Sequence, residues 1–150
     1  MNYIIRKMAA EDLEQVVEID GLSFSLPWPA HTFHYEVSRN SAARCWVAEQ
    51  DGKIIAMLVG WFIVDEIHIA TFAVHPDFRQ RGIGRHLLLH ALQFSQAEGA
   101  RQSFLEARAS NAAALKLYEE VGYVQTGLRK KYYSDNGEDA VLMTLKMGEG

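Results

Sequence analysis

One stretch restricts the fold more than any other. Residues 66–108 run from an apolar, β-branched segment, "EIHIATFAV", through "RQRGIG" at 79–84, into "RHLLLHALQFSQAEG" and then "QSFLEAR". The third of these segments puts Leu87, Leu88, Ala91 and Leu92 on one helical face and stops at Gly99, a residue suited to a C-cap. The segments on either side have strand character. A strand, a helix and a second strand in succession close as a right-handed crossover between parallel strands. Any fold for this chain has to accommodate that unit.

The remaining segments surround it with antiparallel pairs. "YIIRKM" reads as a first strand. "EDLEQVVEIDGLSF" carries Leu13, Val16 and Val17 at helical spacing behind an acidic start, and "AHTFHYEVSRN" is a shorter helix beyond the loop that holds Pro27 and Pro29. "RCWVAEQ" and "KIIAMLVGWFIV" are strands joined at Asp51-Gly52, a hairpin signal. "NAAALKLYEEV" is a helix stopped by Gly122. "YVQTGLRKKYY" and "DAVLMTLKM" are strands joined by "SDNG", with Asn136-Gly137 as a second hairpin signal. The order β-α-α-β-β-β-α-β-α-β-β predicts an α/β protein, a mixed sheet of seven strands with helices on both faces, in one domain over 1–150.

Composition then narrows the class of function. A chain that is 49% hydrophobic and 23% charged can bury a proper core. A net charge of −4 argues against a general nucleic-acid binder, and Lys130-Lys131 is too short a run for a basic patch. Cys45 is the single cysteine, which excludes an intrachain disulfide, and in "ARCWVAE" it reads as a small buried hydrophobe. The longest apolar run, "IIAMLVGWFIV", falls short of the ~18 residues that span a bilayer. The start, "MNYIIRKMAAEDLE", is unlike a signal peptide. A cytoplasmic protein with no membrane partner is expected. His86/His90 and His31/His34 have spacings that could clamp a metal, but no His-Glu-x-x-His or Cys-x-x-Cys accompanies them, so no metal site is expected.

Gln80, Arg81, Gly82, Ile83, Gly84 and Arg85 form the turn into the central helix. It is not a P-loop, since no Lys-Ser or Lys-Thr follows any glycine, and it is not a dinucleotide fingerprint, since Leu87 stands where the third glycine belongs. Free amides and the helix dipole still favour an anion there, glycine allows close approach, and arginine adds charge-assisted hydrogen bonds. On the hexapeptide alone, a phosphate site and a tight turn with solvated arginines are equally good readings. Other residues are similarly two-sided. Glu106 alternates with Leu105 and Ala107 and shares a face with Phe104 and Arg108. It reads either as an acid whose burial raises its pKa toward that of a useful base, or as an ion-pair partner of Arg108, Arg44 or another cation. Tyr118 reads as a core aromatic with its hydroxyl at the edge. Asn111 reads as a helix cap.

Taken in order, the segments resemble the GNAT family of N-acetyltransferases over nearly the whole chain. The family's Arg/Gln-x-x-Gly-x-Gly/Ala motif is matched at 79–84. "SFSLPW", "FAVHPDFRQRGIG", "LEARASNAAALKLYEEVGY" and "RKKYYSDNGEDAVLM" are similar to the RimI type, the ribosomal-protein alanine N-acetyltransferases. His75 is a departure, because that type often has an acid there.

The resemblance implies acetyl-CoA as co-substrate. Phe72, Ala73 and Val74 would meet its pantetheine arm in a sheet whose central parallel strands are splayed. Gln80 to Arg85 would hold its pyrophosphate, and Asn111 would contact the pantetheine. It also implies Glu106 as general base and Tyr118 as general acid, with a backbone amide near Val74 facing the developing oxyanion. Trp28, Tyr132 and Tyr133 would line the entrance for the acceptor. The acceptor would be a protein N-terminus, in this type the N-terminal alanine of a small-subunit ribosomal protein. Cys45 lies far along the chain from these motifs, so direct attack is expected. A family member acting on a small amine, with Asp65, Glu66 and Glu36 forming an acidic pocket, is the alternative, and a non-catalytic acyl-CoA-binding regulator is a third reading.

Overall fold

The structure, a computed structural model, describes residues 2–148. The strands are β1 Ile4–Lys7, β2 Ala43–Gln50, β3 Lys53–Ile63, β4 Glu66–Val74, β5 Gln102–Arg108, β6 Val124–Arg129 and β7 Ala140–Lys146. The helices are α1 Leu13–Ser23, α2 Ala30–Ser38, α3 Ile83–Ala97 and α4 Ala112–Val121, with single 3-10 turns at Ala10–Asp12 and Pro76–Phe78. The seven strands form one sheet in the order β1-β2-β3-β4-β5-β7-β6. Among the described residues only β4 and β5 pair in parallel, through the crossover helix α3.

The core lies in two layers. α1 and α2 cover one face, with Leu13, Val16, Ile19 and Phe33 against Val47, Met57 and Val59. α3 and α4 cover the other, with Leu87, Leu88, Ala91 and Tyr118 against Ile55, Leu58, Ile67 and Leu105. This explains the unbroken apolar run of β3. A central strand covered on both faces has no polar side to alternate with, and Ile54 to Val59 are at most 2% exposed. The β2–β3 hairpin turns at Asp51 (φ 49°) and Gly52 (φ 81°), the doubly left-handed geometry that Asp-Gly favours.

Two irregularities position the site. Val59 pairs with Thr71 but Gly60 pairs with Ile69, so Ala70 is an extra residue in β4. A Cβ on Gly60 would lie 2.9 Å from Ile67 Cδ1 and 3.3 Å from the His68 carbonyl, so this part of the pairing requires glycine. Beyond the bulge the parallel pairing is already lost. β4 and β5 are in register only from Glu66–Gln102 to His68–Phe104. β5 then continues along β7 as far as Arg108–Ala140. The sheet therefore opens into a wedge between the second halves of β4 and β5.

The last hairpin differs from expectation. β6 stops at Arg129 rather than running on to Tyr133, and 130–139 form a folded connection. Tyr133 N–H donates to the Glu138 carbonyl, Gly137 N–H donates to the Tyr133 carbonyl, and Asp139 Oδ1 accepts from Lys131 N–H. Asn136-Gly137 turns the chain inside this loop instead of joining two strands directly. Local side-chain acceptors compete for the backbone donors that a ladder would need.

Candidate active site

The wedge is lined on one side by backbone. His75 N–H donates across the sheet to the Ile55 carbonyl at 2.8 Å. By strand alternation, the amides of Phe72 and Val74 point the opposite way, into the gap left by β5. Arg79 Nε donates to the Val74 carbonyl at 3.0 Å, and its Nη2 reaches Ser23 Oγ at 3.2 Å, so this arginine braces the end of β4. His75, buried, follows directly after β4, where the sequence places it.

At the same end, α3 begins with bare amides. Gly82, in the left-handed region at φ 81°, is its N-cap, and no side chain caps the helix. The first amides of a helix have no intrahelical acceptor, and the helix dipole makes this point electropositive. The two glycines serve different ends. Gly82 supplies the left-handed turn. Gly84 supplies space, but for the fold: a Cβ there would lie 3.1 Å from Val74 Cγ2 and 3.4 Å from Phe72 Cζ. Missing bulk at 84 thus lets α3 approach β4, rather than lying open to a ligand. Exposed Arg81 sits with its guanidinium carbon 5.2 Å from the Phe78 ring centre, and Arg85 is 3.9 Å from Glu120. Gln80 adopts φ 63° in the same turn. A set of uncapped amides beside two exposed arginines suits a diphosphate.

The opposite wall carries the chemistry-bearing side chains. Glu106 lies on β5 beyond the point where β4 departs, with its side chain 34% exposed. The expected burial is absent, because the strand that would have covered it has splayed away. Neither expected partner pairs with it. Arg44 binds Glu98, and Arg108 binds Asp135 and Glu138. Arg129 Nε lies 3.7 Å from Glu106 Oε1 instead. Tyr118, on α4, is 8% exposed and packs 6.4 Å from Phe72 and 5.8 Å from Tyr123, ring centre to ring centre. Its hydroxyl has no hydrogen-bond partner among the described residues. Burial pushes the Tyr118 phenol well above its ordinary pKa, so it keeps its proton. Tyr133 is raised too, first by burial and then by the charge of Glu106, and its own charge acts on Tyr118. Tyr133 thus lies within electrostatic reach of both Glu106 and Tyr118.

Asn111 caps α4, its side chain accepting from Ala114 N–H at 3.2 Å. Tyr132 is 48% exposed and lies edge-on to Tyr133 at 5.2 Å, with Arg129 5.5 Å from its ring centre. Trp28 is half-buried, stacked 6.2 Å from Trp61 and 5.2 Å from Phe33, so most of its ring serves packing. Asp65, Glu66 and Glu36 do not gather beside the wedge. Asp65 is in the β3–β4 turn, Glu66 binds His68 at the closed end of β4, and buried Glu36 accepts from Asn40 and Trp61.

Sequence reading missed Asp20. It is 1% exposed, accepts from Trp28 N–H at 2.7 Å and from the Thr71 hydroxyl at 3.3 Å, and burial raises its carboxyl pKa. It ties the α1–α2 loop to the residue after the bulge. The signal was present: Asp20 falls seven residues after Leu13, on the apolar stripe of α1. Cys45 lies on β2, three strands from Glu106, and burial pushes its thiol up to about 12. Such a thiol is not a nucleophile at neutral pH.

The chain belongs to the acetyltransferase (GNAT) family, which it matches over residues 13–123. As in that family, its acyl donor is acetyl-CoA, and the bare amides of α3 and the open β4–β5 gap fit such a ligand. Among its relatives, the Escherichia coli K12 ribosomal protein bS18-alanine N-acetyltransferase is 34% identical over 145 residues, covering 94% of this chain and 95% of that one. An N-alpha-acetyltransferase of Sulfurisphaera tokodaii is 30% identical, covering 97% of this chain and 93% of that one. The crystal structure of the E. coli ribosomal-protein-S18-alanine N-acetyltransferase superposes with a TM-score of 0.89 at 32% identity, covering 99% of this chain and 97% of that one.

Proposed function

We propose that this enzyme transfers the acetyl group of acetyl-CoA to the free α-amine of a protein N-terminus, the N-terminal alanine of ribosomal protein bS18, in the cytoplasm. One observation carries the reading: the splayed wedge has free backbone amides on one wall and Glu106 and Tyr133 on the other, with Tyr118 within electrostatic reach of Tyr133. Full-length likeness to the bS18-alanine enzymes supports the acceptor.

Acetyl-CoA supplies a thioester carbonyl and a thiol leaving group. The chain's residues do the rest. Gln80 to Arg85 hold the diphosphate through the amides of α3, and Phe72 to Val74 hold the pantetheine arm, with Asn111 at its side. The α-amine has a pKa of about 7.7–8.0, so part of it is neutral at physiological pH. A half-exposed carboxylate then suffices as base, and Glu106 takes the proton at Oε1 or Oε2. The Val74 amide donates into the gap where negative charge develops. Tyr118 holds a proton at its hydroxyl for the departing sulfur. Its raised pKa makes it a standing hydrogen-bond donor. Tyr132, Tyr133 and the Trp28 loop border the acceptor.

The test is an acetyl-CoA assay with three acceptors: a peptide beginning with alanine, the same peptide with its N-terminus blocked, and spermine. Turnover of the free-amine peptide alone is expected. Turnover of spermine alone overturns the acceptor reading, and cofactor binding without any turnover overturns catalysis.

A further inference from the structure

At the loop end of the wedge, one side chain joins three segments of the chain. Arg108 ends β5, two residues beyond Glu106 and on the same face of the strand. Its Nη1 and Nη2 donate to Asp135 Oδ1 and Oδ2 at 3.1 and 3.0 Å, a bidentate pair. Nη1 also reaches Glu138 Oε1 at 3.4 Å, and Nη2 reaches Ser25 Oγ at 3.2 Å. The guanidinium carbon stands 3.9 Å from the centre of the Tyr133 ring. Ser25 belongs to the loop between α1 and α2, whereas Tyr133, Asp135 and Glu138 belong to the loop between β6 and β7. Ser25 Oγ donates in turn to Asp135 Oδ2 at 2.5 Å. One guanidinium therefore joins the strand that carries Glu106 to both loops that border the acceptor.

The groups are matched in charge. Hydrogen bonds from Ser25 and Arg108 hold the Asp135 carboxyl below its usual range. Ser110 and Arg108 do the same for Glu138. Arg108 itself is raised, chiefly by Asp135. All three stay charged at physiological pH. The Arg108 and Asp135 side chains are 21% and 22% exposed, so water and salt reach the pair.

We propose that Arg108 is a positioning residue that clasps the α1–α2 and β6–β7 loops over Glu106, and that the clasped loops set the affinity for the acceptor polypeptide. The proposal rests on the reading of Glu106 as base and of these loops as the acceptor's walls. Lysine cannot replace the fork, because it offers a point charge in place of two parallel donors and a stacking plane.

The experiment compares the full chain with Arg108→Met and Arg108→Lys. In Arg108→Met, amides of 24–26, 28 and 130–139 exchange hydrogen about tenfold faster, together, while those of α3 hold at wild-type rates. With a peptide beginning with alanine, its KM rises about tenfold, the rise exceeds any fall in kcat, and the acetyl-CoA KM stays within about twofold. Arg108→Lys behaves like Arg108→Met. The double variant Arg108→Met/Asp135→Asn costs no more than Arg108→Met alone. Arg44→Met, which breaks the remote pair with Glu98, is the control and leaves both readouts at wild type. Wild-type loop exchange in a folded Arg108→Met protein overturns the clasp, as does an equal rise in both KM values. If the wild-type enzyme turns over no alanine peptide, the acceptor reading fails, and the loop exchange still decides the clasp.

Discussion

At the α3 end of the wedge, the groups proposed to face a ligand are amides of Phe72, Val74 and the first turn of a helix, fixed by the bulge, by Gly84 and by the Arg79 brace. At the loop end the proposed groups are side chains, namely Glu106, Tyr132 and Tyr133, held by ion pairs and ring contacts that water can reach, and Tyr118, buried among rings. The first end cannot lose a donor to a substitution, since every residue but proline supplies an amide. It fails only if its packing fails. The second end can lose its chemistry with one atom. On the proposed reading, sequence change at the loop end alters what is acetylated or how fast, while change at the α3 end alters whether the fold admits the cofactor.

Substitutions can break or sharpen this contrast. Glu106→Gln is expected to lower kcat by about 10²–10⁴ while the acetyl-CoA Kd stays within about twofold. Steady-state kinetics and calorimetry check it, and an unchanged rate removes Glu106 from the chemistry. Tyr118→Phe keeps the ring and removes a hydroxyl that no protein group holds. It should lower kcat by about a hundredfold with little change in melting temperature, so a large loss of stability would make it a core residue only. Gly84→Val should do the reverse. Its extra carbons meet Val74 and Phe72, costing about 1–3 kcal/mol of stability and weakening acetyl-CoA binding, read by thermal melts and calorimetry. The smallest effect is at Asp20. Its folded pKa is raised, so the folded state favours the protonated form, and stability is lost as pH rises from the ordinary aspartate value through the folded one. Asp20→Asn should melt no lower than wild type at neutral pH, by a few degrees higher at most. The gap should close as pH falls through that window. A gap that widens in acid contradicts the desolvated carboxylate.

The crossover unit, the hairpin at Asp51-Gly52 and the two helical layers were legible because each depends on short-range pattern. Leu87, Leu88, Ala91 and Leu92 lie in the core where their spacing places them. The resemblance to the GNAT family supplied the splay, which no local pattern encodes. The burial of Glu106 was misjudged for the same reason. Alternation in "SFLEAR" gives the face, but whether that face is covered depends on where β4 diverges, a long-range property of the sheet. Arg129 was invisible as a partner because it lies on β6, two strands away from β5, and reaches Glu106 from the outside. Strand composition in "LRKKYY" extends the expected strand to Tyr133, four residues into what is a loop, because the Asp and Glu acceptors of that loop act across turns rather than along a period.

The odd residue at Ala70 makes this enzyme tolerant of replacement and intolerant of deletion at one place. Exchange of its methyl for another small group leaves the count intact. Removing the residue would leave Thr71 opposite Val59 and Phe72 opposite Leu58, with every later side chain on its present face, but it would take away the extra residue that bends the strand. A straightened β4 could run on beside β5, and the outward amides of Phe72 and Val74 would then be spent on the neighbouring strand. In an evolving lineage, the length of this segment is a stricter inheritance than its letters.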